Sequence, residues 1–212
     1  MHILFDLDGT LTDPLSGITK CIQHALIGFD LPSPPAESLR WCIGPPLKES
    51  LVALLGPEKA HLAEQALAKY RERFSSVGLF ENAVYPGIED TLNELKRHGH
   101  SMHVATSKPT IYAEQIIDHF GLSEYFHSID GSELDGTRCD KAVLLAHILE
   151  RESIRPNDAV MIGDREHDMR GARRNYVRGV GVLWGYGTLG ELQEAGAYAC
   201  VANPLELLTQ IN

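Results

Sequence analysis

The sequence is short of cysteine, of basic residues and of long apolar runs, and each shortage excludes something. Its four cysteines (Cys21, Cys42, Cys139, Cys200) are scattered, with no C-x-x-C pair. That spacing offers no disulfide framework and no thiolate metal site; reduced, mostly buried thiols in a cytoplasmic protein are expected. Lysine and arginine total 19 against 29 aspartates and glutamates, a net charge of −10. So acidic a chain does not suit a nucleic acid polymer, whose phosphates favour basic surfaces. A small phosphate ester is not excluded, because a bound cation reverses the field inside a cleft. No apolar stretch approaches the ~18 residues of a membrane span, so no membrane partner is expected. A buried strand at the very start leaves no room for a signal peptide, which again predicts the cytoplasm.

What is present is a globular composition. Hydrophobic residues make up 43% of 212, enough for one large domain or one domain with an insert. Nothing in the sequence speaks to oligomeric state. The chain is organised around its first ten residues. His2-Ile3-Leu4-Phe5 is a short apolar run that reads as a buried strand. It runs into Asp6-Leu7-Asp8-Gly9-Thr10. Past a strand end, two aspartates two apart can both enter one site while Leu7 turns back to the core. Gly9 permits a sharp turn. Two close carboxylates repel unless a cation or a shared proton compensates, and hard oxygen ligands suit Mg²⁺. The bland reading of an isolated Asp-x-Asp is a surface turn with solvated acids.

Residues 14–84 carry helical spacings and almost no strand signals. Ser16 can cap a helix through Ile18, Cys21, Ile22, Ala25 and Leu26. A short helix is expected around 37–41. Another is marked by Leu47, Leu51, Leu54 and Leu55 and ends at Gly56-Pro57, and a long one covers 57–74. From Tyr85-Pro86-Gly87 onward, helices and strands alternate, with strands at 101–105, 126–129, 159–162, 179–183 and 198–201. Helices are predicted at 88–98, 109–119, 141–151, 191–195 and 205–208, and one follows the 159–162 strand to about residue 175. Alternation of this kind predicts an α/β fold: a Rossmann-like parallel sheet with helices on both faces. The small all-helical segment would be inserted after the first strand. The expected division is 1–13 and 85–212 as the catalytic core and 14–84 as a helical cap.

Such sheets bind ligands at the carboxyl ends of their strands, and the remaining chemistry falls there. The 101–105 strand ends in Thr106-Ser107-Lys108-Pro109, where hydroxyls and amides opening a helix make a phosphate cradle or an ordinary cap. The 159–162 strand ends in Gly163-Asp164-Arg165-Glu166-His167-Asp168. If the next helix starts early, Asp164 and Asp168 share a face at i and i+4; the bland alternative is acids at a helix N-terminus. The histidines His98, His100 and His103 lack an acidic or cysteine partner and read as structural. Trp184-Gly185-Tyr186-Gly187 reads as a turn with an aromatic plug.

The run Phe5-Asp6-Leu7-Asp8-Gly9-Thr10-Leu11-Thr12-Asp13 resembles, without a break, the first motif of the haloacid dehalogenase-like hydrolases, which are phosphatases for the most part. Gly163-Asp-x-x-x-Asp168 matches their fourth motif, and Thr106 falls on their second. Their third supplies a lysine near the start of a helix. Lys141 occupies such a place and Arg138 is the alternative, because the usual Lys-Pro-x-Pro pattern is not present. The resemblance implies an Mg²⁺-dependent phosphomonoester hydrolase working through an aspartyl-phosphate. Asp6 would be the nucleophile and Asp8 the general acid and base. Gly9, Thr106, Ser107 and Lys141 would surround the phosphoryl group. Asp6, Asp8 (through its backbone), Asp164 and Asp168 would hold the metal, Asp168 directly, through water or as an anchor. The helical cap would close over the substrate and select the leaving group, with Lys20, Arg40, Lys48 and Arg71 as candidates to meet it.

Within the family, Trp41-Cys42-Ile43-Gly44-Pro45-Pro46-Leu47 and the fourth motif look like the 5′-nucleotidase branch, and the general pattern looks like phosphoglycolate phosphatases. A 5′-nucleotide is the expected substrate, with phosphoglycolate as the alternative. A phosphomutase, or a catalytically silent binding protein on the same scaffold, is the more distant reading.

Overall fold

The computed structural model describes residues 1–211. The chain splits into two compact units: Met1–Asp13 with Val84 onward, and Pro14–Ala83. In chain order the elements are β1 (His2–Phe5), β2 (Thr12–Asp13), α1 (Leu15–Ile27), α2 (Leu47–Lys59), α3 (Ala63–Arg73) and β3 (Ala83–Val84). Then come α4 (Ile88–Arg97), β4 (Ser101–Pro109), α5 (Thr110–His119), β5 (Phe126–Ser132) and α6 (Lys141–Arg151). The chain finishes with β6 (Ala159–Gly163), α7 (Glu166–Arg174), β7 (Arg178–Val182), α8 (Leu189–Glu194), β8 (Ala199–Val201) and α9 (Leu207–Ile211).

The first unit is a six-stranded sheet in the order β5-β4-β1-β6-β7-β8, flanked by helices, and every pair of neighbours is parallel. β1 lies inside it, between β4 and β6. Ile3, Leu4 and Phe5 are all fully buried, as a strand covered on both faces requires. Leu4 and Met161 pack with Leu144, Leu145, Ile148 and Val177. The chain passes from β1 outward through β4 and β5, then returns to the other side of β1 with β6. Strand order therefore reverses at β1/β6, and the crevice beyond their carboxyl ends is where such sheets bind ligands. Asp6 and Asp164 each follow one of these two strands directly, and the Asp6 amide donates to the Ile162 carbonyl at 2.8 Å.

Two expectations for this unit need correction. β4 does not stop at residue 105. It runs to Pro109, with a register irregularity between Ala105 and Pro109, where Pro109 pairs with Ser132. The helix after it begins at Thr110, so Thr106 and Ser107 sit on an extended strand end and not at a helix opening. The second concerns Asp164. α7 begins at Glu166, with Arg165 as N-cap, so Asp164 lies before the helix and shares no helical face with Asp168.

The second unit is helical: α1, a 3₁₀ turn at Ala36–Cys42, α2, a 3₁₀ turn at Ala60–Leu62, α3 and a π turn at Phe74–Gly78. Leu51, Leu55, Ala63 and Ala66 form its core with Leu47 and Leu67 against them. Ser16 is not the cap of α1: Pro14 takes that position, with no side-chain cap bond. The helix expected over 57–74 is broken at Ala60–Leu62. Lys20 is paired with Glu81 at 2.8 Å, and Lys48 with Glu64.

His103 lies in the core of the first unit, fully buried on β4. Its Nδ1 is 2.9 Å from Ser128 Oγ, and Ser128 Oγ donates to Asp130 Oδ2 at 2.6 Å. Arg151 Nη2 also donates to that carboxylate oxygen, at 2.8 Å. Because the serine's proton is committed to Asp130, His103 must donate from Nδ1. Its Nε2 then accepts from His2 Nδ1, 3.1 Å away. The chain of donors has a single direction only if His103 is neutral. Burial first, then the His2 and His127 rings, pushes its pKa down from 6.5 to about 4. The unfolded chain takes up that proton near pH 6.5 and the folded one does not. His103 therefore contributes stability above pH 6.5 that is lost as pH falls toward 4, at most about 3 kcal/mol. We expect urea midpoints of the wild type to fall by more than those of His103→Gln between pH 7 and pH 4.5. Parallel curves would show that His103 titrates normally in the fold.

Candidate active site

Four aspartates and two lysines converge at the carboxyl ends of β1, β4 and β6. All six side chains are buried or nearly so. Lys141 is placed by its helix start: the Asp140 side chain accepts from the Ala142 and Val143 amides at 2.8 and 3.1 Å, an N-cap that fixes where α6 begins. The Lys141 ammonium then donates to two oxygens and forms an ion pair with a third. It lies 2.8 Å from Asp6 Oδ1, 2.7 Å from the Ala105 carbonyl and 2.8 Å from Asp168 Oδ1. Burial alone would lower its pKa; the Asp168 and Asp6 carboxylates outweigh that and hold it above the usual lysine range. Arg138 is not in the group. Its backbone is left-handed, at φ 63°, and its guanidinium pairs with Glu133.

Asp6, Asp164 and Asp168 are all buried, and each offers a carboxylate oxygen within 4.8 Å of the others. Asp168 is brought there by a cap: its Oδ2 accepts from the Arg165 amide at 3.1 Å, closing a capping box at the start of α7. Asp164 Oδ2 accepts from the Tyr186 amide at 2.8 Å, while its Oδ1 is buried without a hydrogen-bond partner. Burial, with Asp6 and Asp168 beside it, raises the Asp164 pKa well above the ordinary carboxyl value. Burial likewise lifts Asp168 to about 6, against the pull of Lys141. Asp8 faces elsewhere: its Oδ2 is 2.6 Å from Lys108 Nζ, and its Oδ1 has no partner. Burial raises its pKa too, opposed chiefly by Lys108. The side-chain group that could hold a metal ion is thus Asp6, Asp164 and Asp168, without the Asp8 carboxylate.

This donor set fits a divalent cation. Four carboxylates (−4) and two ammoniums (+2) leave a formal charge of −2 in a buried site, which one hard divalent ion would neutralise. The unpartnered Asp164 Oδ1 is a lone pair waiting for such a ligand.

Two glycines show how closely the walls approach. Gly9 has φ +87°, and a Cβ there would fall 2.2 Å from Asp164 Oδ2. A Cβ on Gly185 would fall 2.4 Å from the same oxygen and 2.3 Å from the Gly9 carbonyl. The Trp184–Gly187 loop is therefore part of the site, beyond the plugged turn read from the sequence. Trp184 Nε1 donates to the Thr10 carbonyl at 3.0 Å, and the Tyr186 hydroxyl bonds the Asp13 carboxylate. Burial and that carboxylate push the Tyr186 phenol far above its ordinary pKa.

Thr106 is buried at the strand end, and its Oγ1 accepts from the Lys108 amide at 3.2 Å. The Ser107 hydroxyl donates to the Cys139 carbonyl at 3.1 Å, so it braces the loop before α6 and is not turned to the carboxylates. Sequence reasoning gave Lys108 no role. The available signal was a lysine two residues past Thr106, beside an otherwise acidic site.

Residues 3–182 match the model of a family described as haloacid dehalogenase-like hydrolase. Among curated relatives, a 5′-nucleotidase of Pseudomonas aeruginosa is 46% identical over 91% of this chain and 86% of its own. Phosphoglycolate phosphatase 1 of the same species is 32% identical over 97% of this chain and 78% of its own. Tyrosine-protein kinase PtkA of Mycobacterium tuberculosis is 40% identical over 87% of this chain, which spans only 62% of the kinase. Among solved structures, a predicted phosphatase from Clostridium acetobutylicum superposes with a TM-score of 0.93 at 43% identity, covering 99% of this chain and 97% of that one.

Proposed function

Because the chain belongs to the haloacid dehalogenase-like hydrolase family and carries its buried carboxylate cluster, we propose that this metal-dependent phosphomonoesterase uses Mg²⁺ and hydrolyses 5′-nucleotides. The observation carrying the chemistry is the separation of two aspartates only two residues apart. Asp6 belongs to the metal-competent group and is held by Lys141, while Asp8 is held apart on Lys108. One carboxylate is thereby set to attack and the other to move protons.

In this reading an Asp6 oxygen attacks phosphorus in line as the bond to the leaving alcohol breaks, and Asp8 gives that alcohol oxygen its proton. Water then attacks the aspartyl-phosphate. Asp8 takes the water's proton, the bond from Asp6 to phosphorus breaks, and phosphate leaves. Lys141 offsets the charge on Asp6 and the transferring oxygens, with Thr106 and the Gly9 turn beside them. When bound at Asp6, Asp164 and Asp168, Mg²⁺ supplies positive charge that offsets the anionic ester.

The preference for a nucleotide over phosphoglycolate rests on the higher identity to the 5′-nucleotidase. Phosphate release across 5′-nucleotides, phosphoglycolate, sugar phosphates and pyrophosphate tests it. We expect kcat/KM for one 5′-nucleotide to exceed phosphoglycolate about 100-fold, some 2.7 kcal/mol of differential transition-state binding. A lead of that size for phosphoglycolate would reverse the assignment.

The metal site is testable without turnover. Ionising Asp164 and Asp168 in the metal-free fold is costly at neutral pH, since both pKa values are raised, and a cation removes that cost. Mg²⁺ at about 100 times its Kd is expected to add about 2.7 kcal/mol, raising Tm by roughly 5–10 °C for a chain of this size. Asp164→Ala should abolish the shift. An unchanged wild-type Tm over millimolar Mg²⁺ would sink the site.

A further inference from the structure

We propose that Lys108 is a positioning residue for Asp8: it fixes one carboxylate oxygen so that the other is presented to the leaving group. The inference rests on the reading of Asp8 as the proton carrier.

Asp8 needs such a device because of where it stands. It is two residues from Asp6, and the three-aspartate group with Lys141 lies close by. An unrestrained Asp8 carboxylate would be drawn to that ammonium or to a bound cation, and its oxygen would then be lost to the leaving group. Lys108 prevents this: its Nζ lies 2.6 Å from Asp8 Oδ2, with the two side chains only 6% and 12% exposed. With Oδ2 held, Oδ1 is buried and has no hydrogen-bond partner. A buried oxygen left in that condition is costly unless a ligand supplies the donor. An attacking water is such a donor, and a leaving-group oxygen is the matching acceptor when Oδ1 carries the proton.

The backbone delivers Lys108 firmly. The strand end past Thr106 is clamped by three bonds. The Lys108 amide donates to Thr106 Oγ1 at 3.2 Å, the Ser107 hydroxyl to the Cys139 carbonyl at 3.1 Å, and the Ser132 hydroxyl to the Ser107 carbonyl at 2.9 Å. The Lys108 carbonyl also sits against Gly131, where a Cβ would fall 2.2 Å from it. This explains why β4 continues past the point where its apolar run ends. The extension carries an ammonium to the second aspartate, as α6 carries one to the first.

The test is Lys108→Met, with Lys108→Arg as the charge-conserving control. It uses kcat/KM, which reports only steps up to leaving-group release. Aryl esters with acidic phenols leave without help, and alkyl esters need their oxygen protonated. For Lys108→Met we expect a loss of about 100-fold on an alkyl phosphate and under about fivefold on p-nitrophenyl phosphate. Lys108→Arg should recover part of the alkyl loss. Inhibition by inorganic phosphate and the Mg²⁺-induced rise in Tm should stay unchanged. Equal losses on both esters would overturn the inference, as would inhibition by phosphate weakening in step with activity, which would make Lys108 a phosphate ligand. Asp8→Asn separates the two levels. If it spares alkyl esters, the reading of Asp8 fails; if it cripples them while Lys108→Met does not, only the role of Lys108 fails.

Discussion

Asp6→Asn is expected to abolish turnover while leaving the protein folded. An amide is a very poor nucleophile toward phosphorus, and removal of an enzyme nucleophile costs on the order of 10⁴-fold or more in kcat. Yet the amide is nearly isosteric, and its oxygen can still accept from Lys141, 2.8 Å from Asp6 Oδ1 in the native site. The change also removes a negative charge that pushes up the pKa of both Asp164 and Asp168. Metal-free Tm should therefore hold or rise. Acid-quenched samples should carry covalent phosphate in the wild type and none in the variant. Full metal-dependent turnover by Asp6→Asn would remove the aspartyl-phosphate from the mechanism.

The frame of this site is written in local sequence, whereas several of its walls are not. Ile3-Leu4-Phe5 runs straight into Asp6, Val160-Met161-Ile162 reaches Asp164 through one glycine, and a buried parallel strand needs little more to be recognised. The helical segment after β1 is equally plain from its spacing. The extension of β4 is different. Thr-Ser-Lys-Pro is polar and ends in a residue without a backbone donor, so no strand propensity marks it. It is extended because β5 and two serines hold it there. Asp164 and Asp168 invite an i, i+4 argument, but they meet by another route: one ends at a strand, and the other folds back to cap Arg165. The glycines of the Trp184–Gly187 loop look like turn residues. Their reason is long-range, for a Cβ on Gly187 would fall 2.0 Å from the Asp164 carbonyl. Contacts across 20 residues or more leave no periodic signal to read.

Lys141→Ala should have the other large effect, on stability and activity together. The side chain is a buried cation among three oxygens, and removing it strands Asp6 and Asp168 without their shared partner. Breaking one side of a buried ion pair typically costs about 3–5 kcal/mol. The sign with pH follows from the carboxylates. Without Lys141 the folded pKa of Asp168, already lifted by burial to about 6, climbs further above that of the unfolded chain, so stability is lost as pH rises through the range between the two. The deficit in urea midpoint should be large at pH 7.5 and small near pH 4. In turnover, loss of the cation beside the nucleophile is expected to cost about 10³-fold in kcat. Arginine should not rescue it. A Cβ on Gly171 would fall 2.8 Å from Lys141 Cγ, so the lysine stem already fills its channel, and a planar fork does not match three oxygens arranged around one nitrogen. Mg²⁺ affinity separates this failure from loss of the metal. Asp6, Asp164 and Asp168 all remain, and the ammonium that competed for two of them is gone. The Mg²⁺ concentration needed to raise Tm should fall in Lys141→Ala even as activity disappears. A variant that is inactive because it no longer binds Mg²⁺ would show the opposite, and would place Lys141 in the architecture of the metal site and not in charge stabilisation.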